Sequence, residues 1–231
     1  FISLFSSSPT MSDSIPPSND RFKLYRTGDI YSSKIIRLVF AYWGISYEDE
    51  VIRDDQARRN FVERHSINDL PALQVNEKFI DQRDPLEIAR FVANKSRHLS
   101  GRTPSEKAEV DKVYTECKGY IDEMNQIATE YMRENPEASN LPYDRVNDIL
   151  QGFFSKITPR LERSTSGFLV GEHLTWVDLL LFFATSHIME NESGVLFINN
   201  YPKVKEHHRK VTERNPEMQL IRQRRLDATP N

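Results

Sequence analysis

Short apolar runs separated by turn-forming residues characterise the first part of the chain. Residues 22–25 predict a strand, and Ser32 or Ser33 then caps a predicted helix that runs to about Tyr42. Residues 47–52 predict a second strand, so the chain opens with the order β-α-β. The helix carries a broad apolar surface, formed by Ile35, Ile36, Leu38, Val39, Phe40 and Trp43.

The next apolar runs give a second group of elements. Residues 54–65 are rich in charge and predict a short exposed helix. Residues 70–75 predict a strand, which turns tightly at 76–77 and pairs with residues 78–80 as a hairpin. Pro85 opens the next predicted helix, since proline suits a first helical position. The order β-α-β followed by β-β-α is the thioredoxin layout, which predicts an α/β domain.

The second half of the chain has the period of amphipathic helices. Apolar residues recur every three or four positions from Val110 to Tyr131, and again from Val146 to Leu161. Pro159 is expected to kink the second of these helices in its last turns. Tyr201-Pro202 and Asn215-Pro216 are each expected to begin a shorter helix.

These patterns divide the chain into three parts. Residues 1–20 are rich in Ser, Pro, Asp and Asn and predict a disordered tail, within which Met11 is the expected start of translation. Residues 21–95 form the predicted thioredoxin-like α/β domain. A polar segment from Lys95 to Pro104 predicts a linker, and residues 105–231 form the predicted all-helical domain.

A further helix within residues 168–189 has a strongly defined beginning. Thr175 stands at the expected N-cap, and Asp178 three residues later predicts a capping box. Gly171 allows the tight turn that leads into this helix. The helix has almost no polar stripe, so we expect it to be buried and to organise the helical domain. Its apolar residues are Leu179, Leu180, Leu181, Phe182, Phe183 and Ile188.

Composition and charge narrow the range of functions. A formal net charge of −3 over 231 residues argues against a nucleic-acid-binding protein. No apolar run approaches the roughly 18 residues of a membrane span, and the opening residues lack the basic start of a secretory signal. Cys117 is the single cysteine, which excludes a disulfide framework and fits a cytoplasmic setting. The six histidines have no metal-ligand spacing, so we predict no metal site.

Several stretches resemble those of a known family. The turn Gly171-Glu172-His173-Leu174-Thr175-Trp176-Val177-Asp178 resembles the Gly-x-x-x-Thr-x-x-Asp turn of the glutathione transferase helical domain. The other matching stretches are 22–24, 35–42, 47–52, 70–73, 88–91, 201–202 and 210–211. Together they resemble the sigma class, which includes glutathione-dependent prostaglandin D synthases, invertebrate detoxifying transferases and lens S-crystallins. The resemblance implies glutathione as cosubstrate, a hydrophobic electrophile and a homodimer.

In sigma-class enzymes a tyrosine hydroxyl at the end of the first strand stabilises the glutathione thiolate. Counting without gaps, this position is Arg26, and Tyr25 lies one residue too early, which directs its phenol to the other face of the strand. A strand bulge would bring Tyr25 back to the sulfur. Ser32 takes the place of a supporting arginine of the family. Ser32 and Ser33 also resemble the serine that other transferase classes use, although a plain N-cap is the favoured explanation of each.

The resemblance also implies positions that contact the glutathione backbone. Leu70-Pro71 matches the cis-proline turn that exposes the leucine backbone to the cysteinyl part of the tripeptide. A lysine that the family places before this turn, for the glycyl carboxylate, is replaced by Asp69. Asp111 matches the aspartate that reaches the glutathione amine in the neighbouring subunit.

The γ-glutamyl carboxylate of glutathione is bound in this family at the start of the third helix. There a Gln-Ser or Glu-Ser pair and the helix N–H groups hold it. Asp84-Pro85 stands in that place here, and Pro85 has neither a hydroxyl nor an N–H. Gln82 or Arg83 is a substitute ligand by a different route. These changes predict weaker glutathione binding.

Two functions therefore remain open from the sequence. One is a sigma-like transferase that holds glutathione between its two domains and conjugates electrophiles. The other is a non-catalytic binding or structural protein on the same fold, like the lens S-crystallins. The substitutions at Arg26, Ser32, Asp69 and Pro85 favour a weakened or lost thiolate site in either case.

Overall fold

The first half of the protein contains a four-stranded mixed sheet in the computed structural model. Its strands are β1 (Phe22–Thr27), β2 (Glu48–Ile52), β3 (Ala72–Val75) and β4 (Lys78–Phe79). The order across the sheet is β2-β1-β3-β4, with β1 and β2 parallel and the other two pairs antiparallel. The structure describes residues 20–28, 33–81, 84–96, 98–137, 143–190 and 192–214.

Helices connect the strands and form the second half of the described chain. The first three are α1 (Lys34–Trp43), α2 (Asp55–His65) and α3 (Pro85–Lys95), so the predicted thioredoxin layout is confirmed. The remaining helices are α4 (Pro104–Glu134), α5 (Tyr143–Arg163), α6 (Trp176–Ile188), α7 (Glu192–Ile198) and α8 (Pro202–Arg214).

The sequence prediction differs from the structure at a few boundaries. β1 continues to Thr27 rather than ending at residue 25, and β3 begins at Ala72 rather than at residue 70. Helix α7 was not predicted, because its seven residues give too little apolar periodicity. The helix expected at Pro202 is confirmed, whereas the one expected at Asn215-Pro216 lies outside the described residues, as does the predicted tail 1–20.

The two faces of β1 contact different helices. The ring of Phe22 lies 5.3 Å from that of Phe40 and 5.7 Å from that of Trp43, both in α1. The ring of Tyr25 lies 4.7 Å from that of Phe61 in α2, on the opposite side of the sheet. Because side chains alternate along a strand, Phe22, Leu24 and Arg26 share the face that packs on α1.

Helix α6 is the buried centre of the helical half, as predicted. Its capping box is confirmed: Thr175 donates from its backbone N–H (2.8 Å) and its hydroxyl (3.0 Å) to Asp178 Oδ2. The other oxygen, Asp178 Oδ1, accepts from the Leu169 N–H at 2.8 Å and lies 3.0 Å from His207 Nε2 of α8. The Asp178 side chain is fully buried, so this carboxylate joins three segments of the chain.

Candidate glutathione site

Arg26 lies near the end of β1 on the face that the sequence predicted for it. Its residue exposure is only 9%, and its guanidinium forms a two-point ion pair with Asp49 of β2. Arg26 Nε donates to Asp49 Oδ1 at 2.8 Å, and Nη2 donates to Oδ2 at 2.9 Å. The hydrogen bond to Asp49 raises the pKa of Arg26 further above its already high value. The cation is therefore permanently charged and already neutralised by its own chain.

Tyr25 points away from Arg26. Its hydroxyl donates to Gln74 Oε1 at 3.2 Å, and its ring also lies 5.5 Å from that of Phe79. The pairing of β1 with β2 runs without an inserted residue from Lys23 to Thr27, so the bulge that would redirect Tyr25 is absent from this described strand. The phenol is part of the aromatic packing under α2 rather than a donor beside Arg26.

The structure describes only one of the two serine candidates. Ser32 lies outside the described residues. Ser33 is the N-cap residue of α1, as one of the two predicted explanations required. Its hydroxyl makes no capping hydrogen bond, however, and it is fully buried.

The turn before β3 has the predicted backbone geometry. The Leu70-Pro71 peptide bond is cis. The preceding Asp69 does not extend into the groove as a free charge, because its carboxylate pairs with Arg58 of α2 and accepts from the Leu70 N–H at 2.6 Å. The hydrogen bond from Arg58 lowers the pKa of Asp69. This side chain stays anionic and is tied to α2.

Asp84 occupies the N-terminus of α3. As the N-cap residue it accepts a hydrogen bond from the Leu86 N–H at 2.8 Å, and Pro85 fills the first helical position. Its second oxygen binds Lys118 Nζ of α4 at 3.0 Å, and Lys118 also pairs with Asp122. The chain thus places its own carboxylate where the sequence predicted an external one. Gln82, the other candidate here, lies outside the described residues.

Asp111 belongs to a polar ladder between α3 and α4. Arg90 Nη2 donates to Asp111 Oδ1 at 2.7 Å, and the Tyr114 hydroxyl donates to Glu87 Oε1 at 2.5 Å. Burial and the neighbouring Glu87 raise the pKa of Tyr114. With the Asp84–Lys118 pair, these contacts give three side-chain bridges between α3 of the α/β half and α4 of the helical half.

The family resemblance implies a groove between the two halves that holds these candidate residues, and several of their partners were not singled out by sequence reasoning. Asp49, Arg58 and Lys118 neutralise the candidate residues Arg26, Asp69 and Asp84 in turn. Only Lys118 had a local signal, because Asp122 follows it by one helical turn. The other partners lie too far away in sequence for spacing to indicate a contact.

Other chemistry is limited within the described residues. They contain no group of three or more metal-ligating side chains placed to hold an ion. No helix among them combines the length and the apolar character needed to cross a membrane. Cys117 is buried, and burial raises the pKa of its thiol, which makes it a poor nucleophile.

Comparison with known proteins identifies relatives over most of the chain. The profile of the glutathione S-transferase C-terminal domain matches residues 121–216. Probable glutathione S-transferase 6 of Caenorhabditis elegans is 30% identical over 182 residues, which cover 78% of this chain and 84% of that protein.

Solved structures give the same result. The hookworm transferase Na-GST-3 of Necator americanus, described as monomeric, is 28% identical with a TM-score of 0.72, over 91% of this chain and 98% of that chain. A Nu-class transferase of Haemonchus contortus is 25% identical with a TM-score of 0.70, over 92% and 98% of the two chains. The protein described here belongs to the glutathione S-transferase family.

Proposed function

We propose that this protein is a sigma-like member of the family whose site for the glutathione thiolate is weakened or lost. The observation that carries the proposal is the Arg26–Asp49 pair at the position of the catalytic tyrosine. The matching stretches in both halves of the chain support the sigma-like assignment, as does the cis bond before Pro71. One relative is a Nu-class transferase, so the subclass of this protein is to be tested by phylogeny together with activity measurements.

Thiolate stabilisation is the first function that this site is expected to lack. A free thiol of this kind has a pKa of roughly 8–9, so it needs a donor or a positive charge to ionise near neutral pH. Tyr25 donates to Gln74 on the other face of β1. Arg26 carries a charge, but both oxygens of Asp49 already compensate it. Little electrostatic stabilisation is left for a sulfur anion.

Recognition of the tripeptide carboxylates is expected to be weak as well. Asp84 caps α3 with its own carboxylate, so an incoming carboxylate meets a like charge. Pro85 removes a hydroxyl and an N–H that would otherwise donate. Because a hydrogen bond to a charged group is worth about 1.5–3 kcal/mol, the loss of two lowers affinity by about two to four decades.

The direct test is glutathione binding and turnover by the full chain. We expect no retention on glutathione-agarose, no calorimetric binding at millimolar tripeptide and no conjugation of a chloronitrobenzene. A nematode transferase with an intact tyrosine serves as the positive control. Retention and turnover that disappear in Tyr25→Phe, but persist in the neighbouring Lys23→Met, would contradict the proposal.

The second candidate is a non-catalytic binding or structural protein on the transferase fold, like the S-crystallins. The mutual neutralisation of the charged residues in the groove favours it, because these ion pairs stabilise the fold without any ligand. A protein that binds hydrophobic compounds but never conjugates them would support this candidate. Conjugation of a hydrophobic electrophile at any measurable rate that depends on glutathione would favour the enzyme.

The family resemblance also suggests a cytoplasmic homodimer. Asp111, which the resemblance expects to reach the partner's glutathione, binds Arg90 of its own chain in this structure. The hookworm relative is described as a monomer, so dimerisation of this chain needs its own measurement. Light scattering during size exclusion decides between the two states. A monomer at micromolar concentration would remove the dimer from the proposal and leave the assignment of the site unchanged.

A further inference from the structure

A small cavity lies between the loop that follows α5 and one side of α8. Its volume is about 140 Å³, which leaves room for several water molecules. The loop contributes residues 164–167, which are three hydroxyl residues and a glycine. The helix contributes Lys203, Glu206, His207 and Lys210, whose spacing of three, four and seven places them on one face.

Both lysines of this cavity already have contacts within the chain. Lys210 Nζ donates to the carbonyl of Ser166 and lies 4.3 Å from the ring centroid of Phe168. Lys203 Nζ pairs with Glu206 at 3.0 Å. An ammonium group has three donor hydrogens, so each lysine keeps donors for a ligand. Because Lys210 is already positioned by its two contacts, its part in binding costs less conformational entropy than ordering a free lysine would.

The rest of the lining is mostly polar, and its hydroxyls already have partners. Ser164 Oγ lies 3.1 Å from Ser166 Oγ, Ser166 donates to the Gly171 carbonyl, and Thr165 donates to Glu172. Glu206 is the one carboxylate among the described lining residues. The hydrogen bond from Lys203, and more weakly the charges of Arg209 and Lys210, lower the pKa of Glu206, so this carboxylate stays ionised beside Lys203.

His207 forms the inner part of the lining. Its Nε2 faces the buried Asp178 at 3.0 Å. Its Nδ1 is buried and has no hydrogen-bond partner in the structure. The imidazole therefore links the cavity to the centre of the helical half, and its resonances report on what the cavity holds.

We propose that this cavity binds a phosphate-type oxyanion, with Lys203 and Lys210 as the cationic ligands. The two ammonium groups outnumber the one carboxylate of the described lining, Glu206, and Lys210 contacts a neutral carbonyl rather than a carboxylate. Lysine binds phosphate as a point charge without the planar geometry that arginine requires. The same chemistry accepts inorganic phosphate or a phosphomonoester. The site belongs to α8 and the loop after α5, so it does not depend on the proposed loss of glutathione chemistry.

The test is titration of the full chain with inorganic phosphate, and separately with O-phosphoserine, against sodium chloride of equal ionic strength. We expect saturable binding by calorimetry and a shift of the His207 ring signals in nitrogen-15 spectra. Binding of phosphate alone identifies the free anion as the ligand, and binding of both compounds identifies a site open to esters.

Matched lysine variants locate the site. Lys203→Met and Lys210→Met are each expected to weaken phosphate binding about tenfold or more. Lys205→Met is the control, because Lys205 lies on the same helix but pairs with Asn199 outside the cavity. Circular dichroism checks that each variant folds. If Lys210→Met does not fold, phosphate binding by the wild type and by Lys203→Met decides whether the proposal holds.

Two outcomes would overturn the proposal. One is the absence of saturable phosphate binding by the wild type. The other is binding that Lys203→Met weakens no more than Lys205→Met does.

Discussion

The helix N-termini of α3 and α6 each hold a carboxylate of the chain itself, and these two carboxylates differ in their surroundings. Asp178 at α6 is fully buried and is contacted by the backbone, a hydroxyl and an imidazole. Asp84 at α3 keeps 37% of its side chain exposed and is contacted by one backbone N–H and by Lys118. A carboxylate at a helix N-terminus is therefore part of the buried core at α6, whereas at α3 it remains accessible to solvent.

The difference shows what each carboxylate can do. A buried ion that satisfies every oxygen with fixed donors cannot be exchanged for a ligand, because removing it leaves those donors unpaired. A half-exposed carboxylate at a helix N-terminus occupies the place of an external anion there and repels it. Asp178 thus belongs to the core of the helical half, whereas we propose that Asp84 influences what this protein binds.

The largest expected effect follows from removing the buried carboxylate. Asp178→Ala leaves the Leu169 and Thr175 N–H groups and His207 without a partner in the interior. We expect the free energy of unfolding to fall by about 3–5 kcal/mol, as for other broken buried pairs. Denaturant unfolding followed by circular dichroism measures the change.

The matched control for this variant is the second capping box of the described helices. Glu106 of α4 accepts from the Thr103 N–H at 3.2 Å and is only partly buried. Glu106→Ala is expected to cost about 0.5–2 kcal/mol. Equal losses in the two variants would mean that burial does not distinguish Asp178 from an ordinary cap.

The second prediction restores the donors that the groove lacks. Arg26→Tyr combined with Pro85→Ser supplies two hydroxyls at the positions implied by the family resemblance, and the serine also restores the N–H that Pro85 lacks. We expect glutathione affinity to rise by at least about tenfold, since each recovered bond is worth about 1.5–3 kcal/mol at best. Isothermal calorimetry measures the gain. Arg58→Gln, which leaves these two positions intact, is the control, and an equal gain there would show that the groove is limited by overall charge.

The fold of this protein was largely predictable from the sequence, because its signals are local. The capping box of Thr175 and Asp178 spans three residues, and the helical periods of α4 and α5 repeat over several turns. The register that separates Tyr25 from Arg26 also followed from alternation along one strand. Such patterns depend on neighbours in the chain, so a single sequence contains them.

The state of the groove was less predictable. Asp84 and Lys118 are 34 residues apart, and Arg26 and Asp49 are 23 residues apart, so neither pair has a local signature. The sequence identified an arginine at the tyrosine position, but it did not indicate that Asp49 neutralises it. Whether a charged side chain is free or paired depends on tertiary packing, and that decides the chemistry.

The third prediction concerns pH and the packing of α8 on α6. Burial, and then the charges of His207 and Lys34, lower the pKa of His208 to about 4 from its ordinary value near 6.5. The unfolded chain therefore binds a proton that the folded chain refuses between these two values. Stability from this group is complete above about pH 6.5 and is lost as pH falls toward 4, with a slope of up to about 1.4 kcal/mol per pH unit.

His208→Gln tests this dependence, because glutamine does not titrate and can still bond to Ser186, which contacts His208 Nε2 at 3.1 Å. The difference in unfolding free energy between wild type and variant is measured at several values between about pH 4.5 and pH 7. We expect that difference to shrink as the pH falls. A difference that is constant across this range would assign the acid sensitivity to other groups.

The smallest expected effect concerns the contact that joins Asp84 to the helical half. Lys118→Met removes its ion pairs with Asp84 and Asp122, which are partly exposed. Partly exposed pairs contribute about 0–1 kcal/mol, so the unfolding free energy is expected to change by less than about 1 kcal/mol, as in the exposed Lys112→Met control. The variant nevertheless frees one oxygen of Asp84, so binding of an organic cation such as spermidine in the groove is expected to strengthen. A loss of several kcal/mol would instead make the Asp84–Lys118 pair part of the structural centre, like Asp178, and would remove the contrast between the two helix N-termini.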